Sequence, residues 1–183
     1  MGARRSAAGF TLIEIVVVLV IISMLLGTTM TNMGGLLPAA ATESAAQTLI
    51  STLDLARTQA IARGYPYDVV MDLDEQKFAI RTPFDLEGGL TMDPRERSML
   101  PWHTMRDGTV LVAVLDVTGT RRERGIWTLT FHPAGDASDF WAYVSHTSEP
   151  DAYMTTVRVL GLTGLASVMA GEVEPPRVLE SDF

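Results

Sequence analysis

The chain of 183 residues contains no cysteine, which excludes both a disulfide framework and a thiolate zinc site. Histidine is nearly as scarce. His103, His132 and His146 fall in three different segments, and no pair of them has metal-ligand spacing. G-x-S-x-G, P-loop and H-E-x-x-H motifs are absent. The stretch "HTSEPD", residues 146 to 151, gathers His, Ser, Glu and Asp, but an exposed turn collects the same residue types without catalysis. "MDLDEQ" supplies Asp72, Asp74 and Glu75 yet lacks the glycine and spacing of an EF-hand loop, so it reads as a charged hairpin tip. No catalytic residue, metal ligand or cofactor is assigned.

Positive charge is also short. Fourteen Lys and Arg stand against 22 Asp and Glu, a net charge of −8. A body that acidic repels phosphate backbones unless its arginines cluster. The one tight cluster, Arg121, Arg122 and Arg124, is interrupted by Glu123 and reads as a solvated hairpin turn. Nucleic acid is not an expected partner.

What the chain does have is a long apolar run near its start, "GFTLIEIVVVLVIISMLLG", residues 9 to 27. Arg4 and Arg5 precede it, and from Phe10 to Leu26 the one charged residue is Glu14. With residues 27 to 33 included, the run is long enough to cross a bilayer as a helix at about 1.5 Å per residue. An ordinary secretory signal has a shorter apolar core and a small-residue cleavage site, for which "PAAATES" is the best candidate. A twin-arginine signal matches "ARRSAAGF" only thinly. A plain anchor puts the arginines in the cytoplasm and the rest outside. None of these gives a reason for Glu14, whose carboxylate at a helix centre would cost about 2.5–3.5 kcal/mol on insertion scales.

The same stretch closely resembles the N-terminus of prepilins, the precursors of type IV pilins and type II secretion pseudopilins. The resemblance implies cleavage by a membrane peptidase between Gly9 and Phe10, methylation of the new N-terminal Phe10, and a role for Glu14 in assembly. A cut there creates a cationic amine at the helix start, which Glu14 can neutralise in its own chain or in a neighbouring subunit. Ile13, Val16, Val17, Val20 and Met24 would pack helix against helix in the filament, although lipid accepts them equally.

Gly34, Gly35 and Pro38 interrupt the run and predict a bend. Helix then resumes, with Ser44 and Gln47 spaced as a capping box and Gly64 as a stop. Ala46, Leu49, Ile50, Leu53, Ala56, Ala60 and Ile61 form a stripe suited to covering a sheet. After Pro66 come "YDVVMDL", "KFAIRT", "TVLVAVLDV", "GIWTLTFH", "DFWAYVSH" and "AYMTTVRVLGL", short strands separated by turns. Residues 83 to 106 read as a long loop holding a short strand near Trp102. Most of the aromatics Trp102, Trp127, Trp141 and Tyr143 are expected in the core.

A helix followed by strands alone predicts an α+β fold with an antiparallel sheet. This is the pilin-like arrangement of a long N-terminal helix, half of it membrane-spanning, packed on a β domain. The expected parts are a leader peptide over 1–9 and a transmembrane assembly helix over 10–36. A linker with amphipathic helix over 37–65, a β domain over 66–169 and an acidic, mobile tail over 170–183 complete the chain.

Within the prepilins, "LDLARTQAIARGYPYDVVMDLDEQKFAI" resembles the GspH/FimT minor-subunit group through Arg57, Ala60, Ile61 and Arg63. "LTFHPAGDASDFWAYVS" resembles that group's turn through Phe131, Pro133 and Gly135. Members that capture DNA are expected to carry a Gly-Arg-x-Arg-like phrase, whose counterpart in this chain, "GLAS" at Gly164 to Ser167, has no arginine. The resemblance implies a non-enzymatic minor pseudopilin of a type II secretion pseudopilus. It would be a single-pass inner-membrane protein with its C-terminal domain in the periplasm. Its partners would be other pilin subunits, the prepilin peptidase and methyltransferase, an inner-membrane assembly platform and membrane lipid. A type IV pilus minor pilin for adhesion or DNA uptake, and a periplasmic binding protein with a removed export signal, are the alternatives.

Overall fold

The structure, a computed structural model, describes residues 11–30 and 36–175, and for residues 26–30 and 36 the backbone only. The chain divides into two compact units, residues 1–37 and 38–183. In the first, α1 spans Leu12–Met30. Among the described residues no helix is long and apolar enough to cross a membrane, and the assembly helix expected over 10–36 includes residues outside them. The bend expected at Gly34 and Gly35 lies outside the described residues.

α2 spans Leu36–Arg63 and starts earlier than the sequence signals suggest. Pro38 sits in its first turn, where no intrahelical N–H bond is forfeited, so it opens the helix instead of breaking it. Ser44 and Gln47 are therefore interior residues and not a capping box. Their carbonyls accept the hydroxyls of Thr48 at 3.0 Å and Ser51 at 2.8 Å. Gly64 closes the helix in the left-handed region (φ 73°), its N–H bonded to the Ala60 carbonyl at 2.9 Å.

Among the described residues nine strands follow: β1 (Tyr67–Asp72), β2 (Lys77–Arg81), β3 (His103–Thr104), β4 (Thr109–Asp116), β5 (Arg121–Arg122), β6 (Ile126–Phe131), β7 (Phe140–His146), β8 (Thr155–Leu160) and β9 (Leu165–Ala170). They pair antiparallel throughout, as a four-stranded sheet β3-β2-β1-β6 and a five-stranded sheet β5-β4-β7-β8-β9. The single expected sheet is thus two. The long loop is also less irregular than its prolines suggest. Its returning half runs beside β2, with the Thr82 N–H on the Ser98 carbonyl at 2.8 Å and the Leu100 N–H on the Ile80 carbonyl at 2.8 Å.

One core joins α2 to both sheets. Ala46, Leu49, Leu53, Ala56 and Ala60 of the predicted stripe are fully buried against Val69, Phe78 and Phe131 of one sheet and Leu111, Phe140 and Val157 of the other. Ile50 packs at the margin and Ile61 is exposed. A smaller cluster of Ala113, Leu115, Trp141 and Tyr143 covers the opposite face of the five-stranded sheet. Gln76 ties the sheets together. The register of β4 against β7 slips between Leu111 and Ala113. The Gln76 amide takes a neighbouring strand's place there, accepting the Leu111 N–H at 2.6 Å and donating to its carbonyl at 3.1 Å.

The tail read as mobile begins fastened. The Thr156 hydroxyl, fully buried, donates to the Gly171 carbonyl at 2.6 Å and accepts the Val173 N–H at 3.0 Å. The Tyr143 hydroxyl donates to the Val173 carbonyl at 3.2 Å. Residues 176–183 lie outside the described residues.

Candidate functional site

The residues singled out for processing and assembly begin at α1. Gly9 and Phe10, the expected cleavage and methylation positions, lie outside the described residues. Thr11 caps the helix: its carbonyl accepts the Glu14 N–H at 3.1 Å and the Ile15 N–H at 3.3 Å, and its hydroxyl also faces the Glu14 N–H at 3.4 Å. Glu14 thereby stands in the first turn, where unsatisfied N–H groups and the helix dipole favour a carboxylate. The described side chains of α1 are all exposed. Among them the Ser23 hydroxyl is satisfied by the Leu19 carbonyl at 2.7 Å. α1 is therefore an apolar rod carrying one ionisable group near its start.

Three residues of the finer resemblance, Arg57, Ile61 and Gly135, meet at one place with Gly164 of the departing phrase. The Arg57 guanidinium reaches from α2 and donates through Nε to the carbonyls of Gly135 at 3.1 Å and Thr163 at 2.6 Å. It clamps two turns, one after β6 and one after β8. A Cβ on Gly135 would come 2.9 Å from Ile61 Cδ1, and one on Gly164 would run into the Gly135 carbonyl oxygen. Both glycines also hold left-handed φ, 86° and 61°. Arg57, Ile61, Gly135 and Gly164 thus form one packed junction. Their chemistry is carbonyl capping inside the fold.

Most other described cations are engaged as well. Asp68, buried on β1, accepts Arg81 Nη2 at 2.8 Å, Arg97 Nη1 at 3.2 Å and the Thr130 hydroxyl at 2.7 Å. Arg97 thereby pins the 83–106 loop to the sheet. Arg121 pairs with Glu123 and Glu172 and lies over the Tyr143 ring at 5.0 Å. Its bond to Glu172 raises its already high pKa further, while burial pushes the Tyr143 phenol up. Arg122 covers Trp127 at 5.2 Å and Arg158 covers Trp141 at 5.5 Å. Lys77 pairs with Glu75 and sits 4.7 Å over Trp102. Two members of the expected free basic turn are therefore occupied by internal partners.

The acidic residues of the first hairpin serve its turn. Asp72 accepts the N–H groups of Asp74 at 3.1 Å and Glu75 at 2.9 Å, and Asp74 accepts that of Gly125 at 3.0 Å. Among the described residues no group of acids or histidines is placed to hold a metal. The "HTSEPD" stretch is a turn in which His146 Nδ1 and the Ser148 hydroxyl are 2.8 Å apart. At the β4–β5 turn the Thr118 hydroxyl is the main cause of a lowered Asp116 pKa, aided by the Thr118 and Thr120 N–H groups.

Sequence reasoning missed Asp68 and Gln76. Asp68 leaves a trace, an acid at the second position of β1, directly ahead of the apolar Val69, Val70 and Met71. Gln76 leaves none, because its partner Leu111 is 35 residues away.

Comparison with known proteins adds to this geometry. A sequence model described as "Prokaryotic N-terminal methylation motif" matches residues 4–30, and one described as "Type II transport protein GspH" matches residues 45–163. Among solved structures, a minor pseudopilin EPSH from the type II secretion system of Vibrio cholerae is similar with 18% identity and a TM-score of 0.55, covering 75% of this chain and 99% of its own. A second EpsH structure from Vibrio cholerae gives 17% identity and a TM-score of 0.50, covering 70% and 96%. The type IV minor pilin FimU of Pseudomonas aeruginosa gives 14% identity and a TM-score of 0.48, covering 70% and 87%. At these identities the likeness is one of fold. No curated protein matches the chain.

Proposed function

Since the chain belongs to the type II transport protein GspH family, we propose that it works as a minor pseudopilin, a structural subunit of the type II secretion pseudopilus. The observation that carries this reading is the order of two matches in one chain. A methylation motif over residues 4–30 stands directly ahead of the GspH region over residues 45–163. The subunit is anchored in the inner membrane by its apolar run and carries its β domain in the periplasm. A prepilin peptidase cuts between Gly9 and Phe10 and Phe10 is N-methylated. The assembly platform then draws the subunit into a filament with other pilin-like proteins.

Glu14 supplies the register. In hydrocarbon a carboxylate and a cationic amine are each costly alone and compensate each other as a pair. A neighbour whose amine reaches Glu14 is held, and one a turn out of place is not. The acidic balance of the chain, and arginines occupied by Asp68, Glu172 and the Arg57 junction, support protein and not nucleic acid as the partner of the β domain.

The test is a Glu14→Leu variant in cells that assemble the pseudopilus. It should reach the inner membrane at the level of the unaltered protein and be depleted at least tenfold from the sheared filament fraction. Undiminished incorporation would contradict the role assigned to the carboxylate.

A further inference from the structure

β9 ends the five-stranded sheet, and among the described residues nothing pairs with its outer side. Proteins usually blunt such an edge with charge, proline, a bulge or brevity. The edges at β3 and β5 are two residues long, and β5 consists of Arg121 and Arg122. β6, a six-residue edge, has Trp127 under the Arg122 guanidinium and Thr130 tied to Asp68. β9 has none of these devices. Its six residues, Leu165 to Ala170, include no charge and no proline, and its register against β8 runs without a slip.

A groove lies along that edge. The register sets Ala166 opposite Val159, Val168 opposite Val157 and Ala170 opposite Thr155, so these side chains share the face that bears the core. Between that face and the first turns of α2 is a groove of about 400 Å³, lined by Ala39, Glu43, Met154, Thr155, Val168 and Ala170. Its lining is mostly apolar. Glu43 is its one charged group, and it makes no ion pair among the described residues.

We propose that β9 and this groove form a strand-addition site for an extended segment of another protein, with apolar side chains at alternate positions and one Lys or Arg facing Glu43. Backbone pairing with β9 supplies affinity, and the groove selects the inward side chains, which recur every second residue. A second copy of this chain is the wrong occupant for its own edge. Its β9 has no cation to offer Glu43. The site is independent of how the N-terminus is processed.

The probe is the six-residue peptide acetyl-Thr-Val-Thr-Lys-Thr-Val-amide, titrated against the full chain in detergent micelles, with its counterpart carrying Glu in place of Lys. Backbone hydrogen exchange should slow saturably over residues 165–170 and stay unchanged over residues 126–131. The Lys peptide should bind about threefold better than the Glu peptide, the scale of one exposed ion pair, and Glu43→Lys should reverse that order. Because Glu43 is exposed, this variant keeps the fold. No slowing over residues 165–170, or equal slowing at both edges, overturns the site. A Lys preference that survives Glu43→Lys overturns the pairing.

Discussion

Asp68 gathers two arginines, Arg81 and Arg97, and the Thr130 hydroxyl at one buried carboxylate of the β domain. Removing the carboxylate would leave two largely buried guanidinium groups uncompensated, which typically costs about 3–5 kcal/mol. Asp68→Ala is therefore expected to lower the urea midpoint sharply and to speed hydrogen exchange through residues 83–106, because Arg97 no longer holds that loop. An unchanged midpoint would show that the pair contributes nothing net. Glu14 is the opposite kind of carboxylate. It stands exposed on an apolar helix, and under the proposed assembly its partner arrives only with the filament.

At the scale of elements, α2 is held to the far ends of both sheets by the Arg57 junction. Arg57→Ala strips the donor from the Gly135 and Thr163 carbonyls and is expected to cost about 1–3 kcal/mol. The amides of Gly135 and Gly164, bonded to the His132 and Leu160 carbonyls, should then lose protection first. Protection equal to that of the unaltered protein would show that the junction holds neither turn. The stripe that buries α2 was legible because helical spacing is local, and Ala46 to Ala60 fall where that spacing puts them. The start of α2 was not, since Pro38 reads as a break unless the helix is already known to begin at Leu36. The division into two sheets was equally hidden. Asp68 pairs with Thr130 across 62 residues, and nothing local separates β6 from its sequence neighbours β5 and β7. β9 escaped notice because its six small and apolar residues have no alternation to mark them.

For the whole molecule, the division of labour follows the division of residues. The first thirty residues carry the processing motif and an apolar helix with one carboxylate. The unit from residue 38 onward carries a fold whose described cations are largely engaged internally, in a chain of net negative charge, and among the described residues β9 is a strand edge without charge or proline. The N-terminal reading was open to sequence alone because it is written in consecutive residues, Gly9 through Glu14. The chosen partner of the β domain is not written that way, since the edge and groove that would bind it are assembled from α2, β8 and β9. The claim that unites both halves is that this chain is matured as a pilin-type subunit. Intact mass of the protein extracted from its native membrane tests it most directly. Pilin-type maturation predicts a chain beginning at Phe10, shortened by the residues through Gly9 and heavier by one methyl group; an uncut chain, or a cut near Ala40, would contradict it.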